Sequence, residues 1–329
     1  MAVYRNQTGG VIESPVTLKF YEDVIKGLNS SPKYLQSKYF YDAEGDKIFQ
    51  QIMDLPEYYL TKCELEIFSK QTKELCDAFL NKLTEFDIVE LGAGDATKSI
   101  YLLEHLCKTG IDFTYYPIDI SENVIEQLES ELPRKIPELK ITGLNGEYFD
   151  MIKEVNTLSS RKKIFLFLGS NIGNFTKEEA KDFLTLLHEH ILPGDLMLIG
   201  VDLKKDPQQI LAAYNDSQGV TRDFNLNLLK RINKELDASF DMNKFEHKPV
   251  YDETTGECKS FLESREVQIV SIGESESIEF MKNEKIQMEI SQKYSLDEIK
   301  SLTQNSGFNE VTEFYDSNNW FVDVIVENK

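Results

Sequence analysis

Cysteine is scarce in this chain of 329 residues, with only four. Cys63, Cys76, Cys107 and Cys258 form no Cys-x-x-Cys pair and stand at no metal-ligand spacing from a histidine. That pattern argues against a zinc site or a disulfide scaffold and leaves reduced thiols. Basic residues are also in deficit, with 36 Lys and Arg against 57 Asp and Glu, a formal charge of −21. The acidic excess is spread along the chain, so its surface repels phosphate backbones and anionic lipid, and neither nucleic acid nor a membrane is expected as a partner. No apolar run approaches membrane-spanning length, and no cationic stretch followed by an apolar one opens the sequence, so a cytoplasmic protein is expected. There is no internal repeat, and the nine prolines are scattered rather than gathered into a linker. The length suits one large domain or two modest ones.

Two textures alternate. Residues 14 to 82 read as helical, with Leu65, Ile67, Phe68, Leu75 and Phe79 at helical spacing and a turn at Asn29 to Pro32. From residue 86, short apolar runs (Phe86 to Leu91, Phe113 to Ile118, Lys163 to Leu168, Leu196 to Val201) alternate with amphipathic stretches at about 96–108, 121–132 and 177–191. That is the pattern of βα units building a parallel sheet. Residues 203 to 243 look helical again, and 245 to 295 break into strand-like pieces, among them Ser264 to Ile272 and Glu284 to Tyr294. The end reads as a helix from Leu296 to Ser306 and a strand-like run from Asn319 to Glu327, closing the sheet with an antiparallel pair. The expectation is an α/β protein: a helical segment 1–60, a Rossmann-like core 61–200, an inserted α+β substrate-binding lobe 201–295, and a C-terminal helix and strand 296–329 that complete the core.

The strongest local feature is Val89-Glu90-Leu91-Gly92-Ala93-Gly94, an apolar strand ending in a glycine turn, followed by Asp95, Ala96, Thr97 and Lys98 as the opening of a helix. Glycines admit a ligand close to the backbone, and a helix start offers free N–H donors. Thr97 occupies the third position of a dinucleotide fingerprint, so pyrophosphate binding is not supported. The second strand ends Tyr116-Pro117-Ile118-Asp119, a carboxylate placed to accept both hydroxyls of a ribose. Asn145-Gly146-Glu147-Tyr148 then offers an acidic or amide side chain beside an aromatic, suited to the edge and face of an adenine. Together these features resemble the class I S-adenosylmethionine methyltransferases.

Longer strings narrow the resemblance. Phe40-Tyr41-Asp42 with Gly45 and Phe49, Leu55-Pro56-Glu57-Tyr58-Tyr59, Glu90 to Gly94 and Phe167-Leu168-Gly169-Ser170-Asn171-Ile172-Gly173-Asn174 stand in the first half. Asp202 to Asp206, Ala213-Tyr214-Asn215-Asp216, Gly219-Val220-Thr221 through Phe224-Asn225-Leu226-Asn227, Phe245-Glu246-His247 and Glu289 to Tyr294 follow. In order and spacing these resemble the histidine-specific Nα-methyltransferases of ergothioneine biosynthesis. The resemblance implies S-adenosylmethionine as cofactor, contacted by Gly92, Lys98, Asp119, Glu147 and Tyr148, where Glu147 and Tyr148 replace the Asp and Phe common in the family. It implies that Tyr58, Asn174 and Tyr214 hold the α-carboxylate and amino group of a small amino-acid substrate, that Tyr41 stands beside the amino group, and that Glu289 and Ser291 grip an imidazole. Ser260 aligns near a position where the family often carries a Met lining the ring pocket, and a smaller residue widens that pocket toward an indole.

The chemistry agrees with what is missing. Methyl transfer is a direct displacement that needs no metal and no covalent nucleophile, and neither constellation is found. His188-Glu189-His190 is no exception, because helical spacing points the two rings apart. Glu289 and Ser291, two apart in an alternating strand, share a face and bracket a two-nitrogen ring, whereas an apolar side chain leaves Glu289 unpaired. An α-ammonium has no lone pair, so Tyr41, with Asn174 holding the amino group, is expected to assist its deprotonation. The expected reaction is methylation of the α-nitrogen of L-histidine up to the trimethylated betaine hercynine, by a protein working as a monomer. The alternatives are the same chemistry on another amino acid or an aromatic amine, and a non-catalytic adenosyl-binding regulator.

Overall fold

The computed structural model describes residues 4–5, 11–12 and 15–329. The remaining positions of the expected helical segment 1–60, including residue 14, lie outside the described residues. The chain divides into two compact units: one made of Met1–Tyr58 and Asp206–Ser291, the other of Tyr59–Lys205 and Gln292–Lys329.

The second unit is built on a twisted sheet. Its strands are β1 (Phe86–Leu91), β2 (Thr114–Asp119), β3 (Lys140–Ile141), β4 (Lys162–Phe167), β5 (Leu196–Asp202), β6 (Phe308–Tyr315) and β7 (Phe321–Asn328). They lie in the order β6-β7-β5-β4-β1-β2-β3, with Leu144–Asn145 also pairing with β2. β1 to β5 run parallel, and the β6–β7 hairpin returns antiparallel along β5. This doubly wound order with a reversed final hairpin is the class I methyltransferase fold, a Rossmann-like α/β architecture. All residues of β1 and β5 are buried, as a parallel sheet covered on both faces requires, which is why these strands read as unbroken apolar runs. Val89, Phe165, Met197, Ile199 and Val324 pack with Ile152, Leu184 and Leu187 of the flanking helices. Helix Lys177–His190 starts at Thr176 and helix Leu296–Asn305 at Ser295, each with a reciprocal capping box to a glutamate three residues on.

The first unit pairs helices with a four-stranded sheet. Helices Pro15–Leu28, Ala43–Asp54, Pro207–Tyr214 and Val220–Leu236 accompany strands Phe245–Asp252, Glu257–Ser264, Lys285–Gln292 and Lys33–Tyr34, in that order across the sheet. A separate hairpin joins Gln268–Ile272 to Glu276–Phe280. Phe20, Val24, Phe40, Ile52, Phe224, Leu228, Ile232, Phe280 and Met288 form its core.

Three local expectations need correction. The region 14–82 is not wholly helical, because Lys33–Tyr34 pairs in parallel with Ile286 and Gln287, a long-range partner that supplies what two residues alone cannot. The run from Ser264 to Ile272 is two strands separated by Arg265–Val267. The helix after the glycine turn begins at Ser99, not at Asp95. Gly92, Gly94 and Ala96 all have positive φ, at 73°, 53° and 53°, and three left-handed residues in five cannot continue a right-handed helix.

Candidate active site

In the second unit the sheet order reverses between β1 and β4, and in open α/β sheets a crevice forms outside the carboxyl ends of the strands at such a point. Three turns converge there. After β1, the Gly92 and Ala93 amides donate to the Ile118 carbonyl at 2.8 and 3.2 Å, bending the chain toward β2. After β2, Asp119 is fixed by two backbone donors: Gly94 N–H reaches Oδ2 at 3.1 Å and Ser121 N–H reaches Oδ1 at 2.9 Å. Each carboxylate oxygen still has capacity for another donor. Burial pushes the Asp119 carboxyl above its ordinary value, and the backbone donors pull it partly back. The Asn145 side-chain amide and the Gly146 N–H both donate to the Asp119 carbonyl at 3.0 Å, tying the next turn to the same spot.

The glycine turn is crowded on one side and open on the other. A Cβ on Gly92 would stand 2.8 Å from the Tyr148 hydroxyl and 2.9 Å from Asn171 Nδ2, whereas a Cβ on Gly94 would meet no protein atom within 4 Å. A backbone bare on one face, edged by a phenol and an amide and followed by a carboxylate at the strand tip, fits an adenosyl group. Tyr148 opens helix Tyr148–Leu158 and packs edge-on against Phe167 and Phe183. Exposed Glu147 is the N-cap residue of that helix, with no side-chain cap. Lys98 directly precedes helix Ser99–Lys108, and its ammonium is paired with the buried Glu64 carboxylate. Asn174 ends the short 3₁₀ turn Asn171–Asn174 after β4 and is exposed. Gly92, Lys98, Asp119, Glu147, Tyr148 and Asn174 thus all belong to the second unit.

The first unit carries Tyr41, Tyr58, Tyr214, Glu289 and Ser291, and here side chains meet. The Tyr214 and Ser291 hydroxyls are 2.6 Å apart and buried. The Tyr58 ring lies 6.4 Å from that of Tyr214 in an edge-on arrangement, Phe49 follows at 6.4 Å from Tyr58, and Tyr41 stands 5.6 Å from Phe49. Glu289, half-buried, shares its strand face with Ser291. The string around Tyr41 has a structural reason. Asp42 caps helix Ala43–Asp54 by accepting from Gly45 N–H at 2.7 Å and also accepts from the Asn227 amide at 3.0 Å. Gly45 is required because a Cβ would lie 1.8 Å from the Phe40 carbonyl.

Sequence reasoning missed several polar residues. Asn171, which crowds the Gly92 side of the turn, sat within a recognised string in which only Asn174 was singled out. Thr221 and Asn225 sit one turn apart on helix Val220–Leu236, both buried, the Thr221 side chain beside the Asp216 carboxylate and Asn225 Oδ1 without a hydrogen-bond partner in the protein. Their neighbour Phe224 touches Tyr41 and Phe49. The spacing of small polar residues on the buried face of an amphipathic helix was the available signal. His247 Nε2 is likewise buried and unpartnered, and burial lowers its pKa to about 4, which leaves it neutral near pH 7. Among the described residues no group of three His, Cys, Asp or Glu side chains is arranged to hold a metal, and no helix is long and apolar enough to cross a membrane.

Comparison with known proteins agrees with this geometry. The chain is 34% identical over 278 residues to a histidine N-alpha-methyltransferase of Mycobacterium tuberculosis, covering 84% of this chain and 85% of that one. It is 32% identical over 304 residues to ergothioneine biosynthesis protein 1 of Neurospora crassa, covering 91% of this chain and 34% of that protein. It is 28% identical over 326 residues to a 4-dimethylallyltryptophan N-methyltransferase of Epichloe festucae var. lolii, covering 90% and 93% respectively. The family model for histidine-specific, S-adenosylmethionine-dependent methyltransferases matches residues 20–328. With almost its whole length matched, and with the fold and the glycine turn such an enzyme needs, the chain belongs to the histidine-specific, S-adenosylmethionine-dependent methyltransferase family.

Proposed function

We propose that this protein methylates the α-nitrogen of L-histidine, successively, to the trimethylated betaine. The observation that carries the reading is the buried contact between Tyr214 and Ser291, continued through Tyr58 and Phe49 to Tyr41. A row of phenols and a hydroxyl with little formal charge suits an amino acid's head group, which brings both charges itself. In this reading Tyr58 and Tyr214 hold the α-carboxylate and amino group, and Glu289 with Ser291 takes the ring. The second unit is the cofactor domain, with Gly92, Lys98, Asp119, Glu147 and Tyr148 as its contacts, and the first unit is the substrate domain.

Bound S-adenosylmethionine supplies a sulfonium methyl as the electrophile. The chain's part is to present a nitrogen lone pair and to keep water out. The substrate amine enters as an ammonium, so a proton must leave before transfer, and Tyr41 relays it. Glu289 selects the ring: its carboxylate takes a ring N–H, which leucine or phenylalanine does not offer. The orphaned acceptor on Asn225 supports a polar ligand in the same unit, since a buried acceptor left without a donor is unfavourable.

A second substrate has one observation behind it. Ser260 is buried, 2% exposed, where the resemblance places a larger Met, and the relative from Epichloe festucae var. lolii is named for an indole-bearing substrate. Methyl transfer assayed across the amino acids decides: activity with histidine and none with tryptophan supports the proposal, and the reverse result replaces it with the indole reading. The protein is proposed to act as a cytoplasmic monomer, which sedimentation of the purified chain and fractionation of cells check.

A further inference from the structure

Beneath the glycine turn of the second unit lies a group of charged side chains that the cofactor contacts do not explain. Glu64, on helix Tyr59–Lys70, is fully buried. Both its oxygens lie 2.9 Å from the Gly169 N–H, and it is ion-paired with the Lys98 ammonium. Asp323, on β7, is also fully buried, and neither of its oxygens finds a hydrogen-bond donor in the protein. Gly200 of β5 shows how close the two carboxyls come: a Cβ there would lie 2.0 Å from Glu64 Oε1 and 3.1 Å from Asp323 Oδ1. The strand residue is glycine because acid side chains fill its space. Glu90 of β1 completes the group, 3% exposed, accepting the Tyr115 hydroxyl at 2.6 Å.

Three buried carboxyl groups therefore share one ammonium. In a medium of low dielectric they cannot all be ionised beside a single cation. Two carboxylates facing each other without a donor are unstable, whereas one carboxylic acid donating to one carboxylate satisfies both. Asp323 is the acid, because Glu64 already has an ammonium and an amide as donors while Asp323 has none. Burial, reinforced by the Glu64 charge, holds the Asp323 carboxyl well above its ordinary range. Burial also raises Glu90, to about 7. For Lys98 burial works downward, and the neighbouring Glu64 outweighs it, so its pKa is raised and its charge secured.

From this arrangement we infer that Glu64 is a positioning residue for the cofactor site, held in place by a proton on Asp323. The inference rests on the reading that Gly92 and Lys98 contact S-adenosylmethionine. Glu64 reaches two of the turns at the strand ends at once: Lys98 closes the turn after β1, and Gly169 opens the turn after β4. A Cβ on Gly169 would sit 3.4 Å from Lys98 Nζ and 3.9 Å from Asn171 Oδ1, and Asn171 in turn stands 2.9 Å from where a Cβ on Gly92 would lie. Loss of the Glu64 charge frees Lys98 and the Gly169 turn together. Loss of the Asp323 proton at alkaline pH sets two carboxylates against each other and has the same consequence.

The test is calorimetric binding of S-adenosylhomocysteine, without histidine, across pH 6 to 9. It compares the parent chain with Glu64→Gln, Asp323→Asn and Asp323→Leu, each checked for a cooperative melt. The parent is expected to lose affinity toward high pH. Glu64→Gln is expected to bind at least about tenfold more weakly at pH 7, the scale of a lost charge-assisted contact. Asp323→Asn, which keeps a neutral donor facing Glu64, is expected to bind more tightly than Asp323→Leu and to show a flatter pH dependence than the parent. The pH profile separates positioning from a merely structural role and carries the test alone if Glu64→Gln does not fold. Affinities for Glu64→Gln within twofold of the parent, or a pH dependence unchanged in Asp323→Asn, overturn the inference while leaving the cofactor reading intact. A parent chain that binds no S-adenosylhomocysteine at any pH overturns the cofactor reading and this inference with it. Binding of the cofactor product without binding of histidine leaves this inference standing and removes only the proposed substrate.

Discussion

The Tyr214 phenol and the Ser291 hydroxyl, 77 residues apart in sequence, form a buried hydrogen bond 2.6 Å long. If both serve the amino acid, Tyr214→Phe and Ser291→Ala each raise the KM for histidine about tenfold, the worth of a hydrogen bond of roughly 1–1.5 kcal/mol. The double variant loses less than the product of the two, because either single change already breaks their mutual bond. Steady-state kinetics on the three variants checks this, and strict multiplicativity would show that the pair does not act together.

The two turn glycines separate packing from ligand approach. Gly92→Ala meets Tyr148 and Asn171 at under 3 Å and a φ of 73°, so it lowers stability by about 1–2 kcal/mol or more and abolishes cofactor binding. Gly94→Ala meets no protein atom, so its stability cost is confined to the left-handed backbone, at about 1 kcal/mol. Cofactor affinity nevertheless falls, because the methyl occupies the bare face. Thermal melts with and without S-adenosylhomocysteine measure both effects.

As pH rises from 5 to 8 Glu90 draws stability down, against an opposite contribution from His247, whose folded pKa is lowered by burial. The folded pKa of Glu90 is raised from 4.5 to about 7 by burial, so its contribution is fully present below pH 4.5 and is lost as pH rises through 7. Asp323, also raised, acts in the same direction. Glu90→Gln removes its share of the slope and is relatively more stable at pH 8 than at pH 5. Urea unfolding at three pH values reads the slope directly.

At the tip of β5, the fully buried Asp202 accepts from Lys293 at 2.6 Å and from Tyr59 at 2.8 Å and also pairs with Lys205. Although burial works to raise its pKa, Lys293 and Lys205 outweigh that effect and lower it. Asp202→Ala leaves two ammonium groups buried without their carboxylate and costs about 3–5 kcal/mol. Methionine at positions 205 and 293 in that background recovers much of the loss. Denaturant midpoints of the single and triple variants test the account.

Much of the core was legible because burial writes itself into composition. β1 coincides with the run read from Phe86 to Leu91, and β4 and β5 lie within one residue of theirs, since strands covered on both faces must be apolar throughout. Asp119 was legible from its place at a strand end. The helix start after the glycine turn was not, because positive φ at Ala96 leaves no mark on side-chain pattern. Glu64, Asp202 and Asp323 were equally silent. Their partners lie far along the chain, 105 residues separating Glu64 from Gly169, and a buried charge looks like a solvated one until its partner is known. Thr221 and Asn225 fell between these cases, visible as polar residues on the buried face of an amphipathic helix but with nothing to mark what they face.

The central claim, that the first unit recognises histidine, is tested most directly by calorimetric titration of the S-adenosylhomocysteine-loaded protein with L-histidine and, separately, with L-tryptophan. The account predicts saturable binding of histidine that weakens sharply in Ser291→Ala and Glu289→Gln, with tryptophan silent. Heat from tryptophan and none from histidine, or histidine binding indifferent to both substitutions, would contradict it.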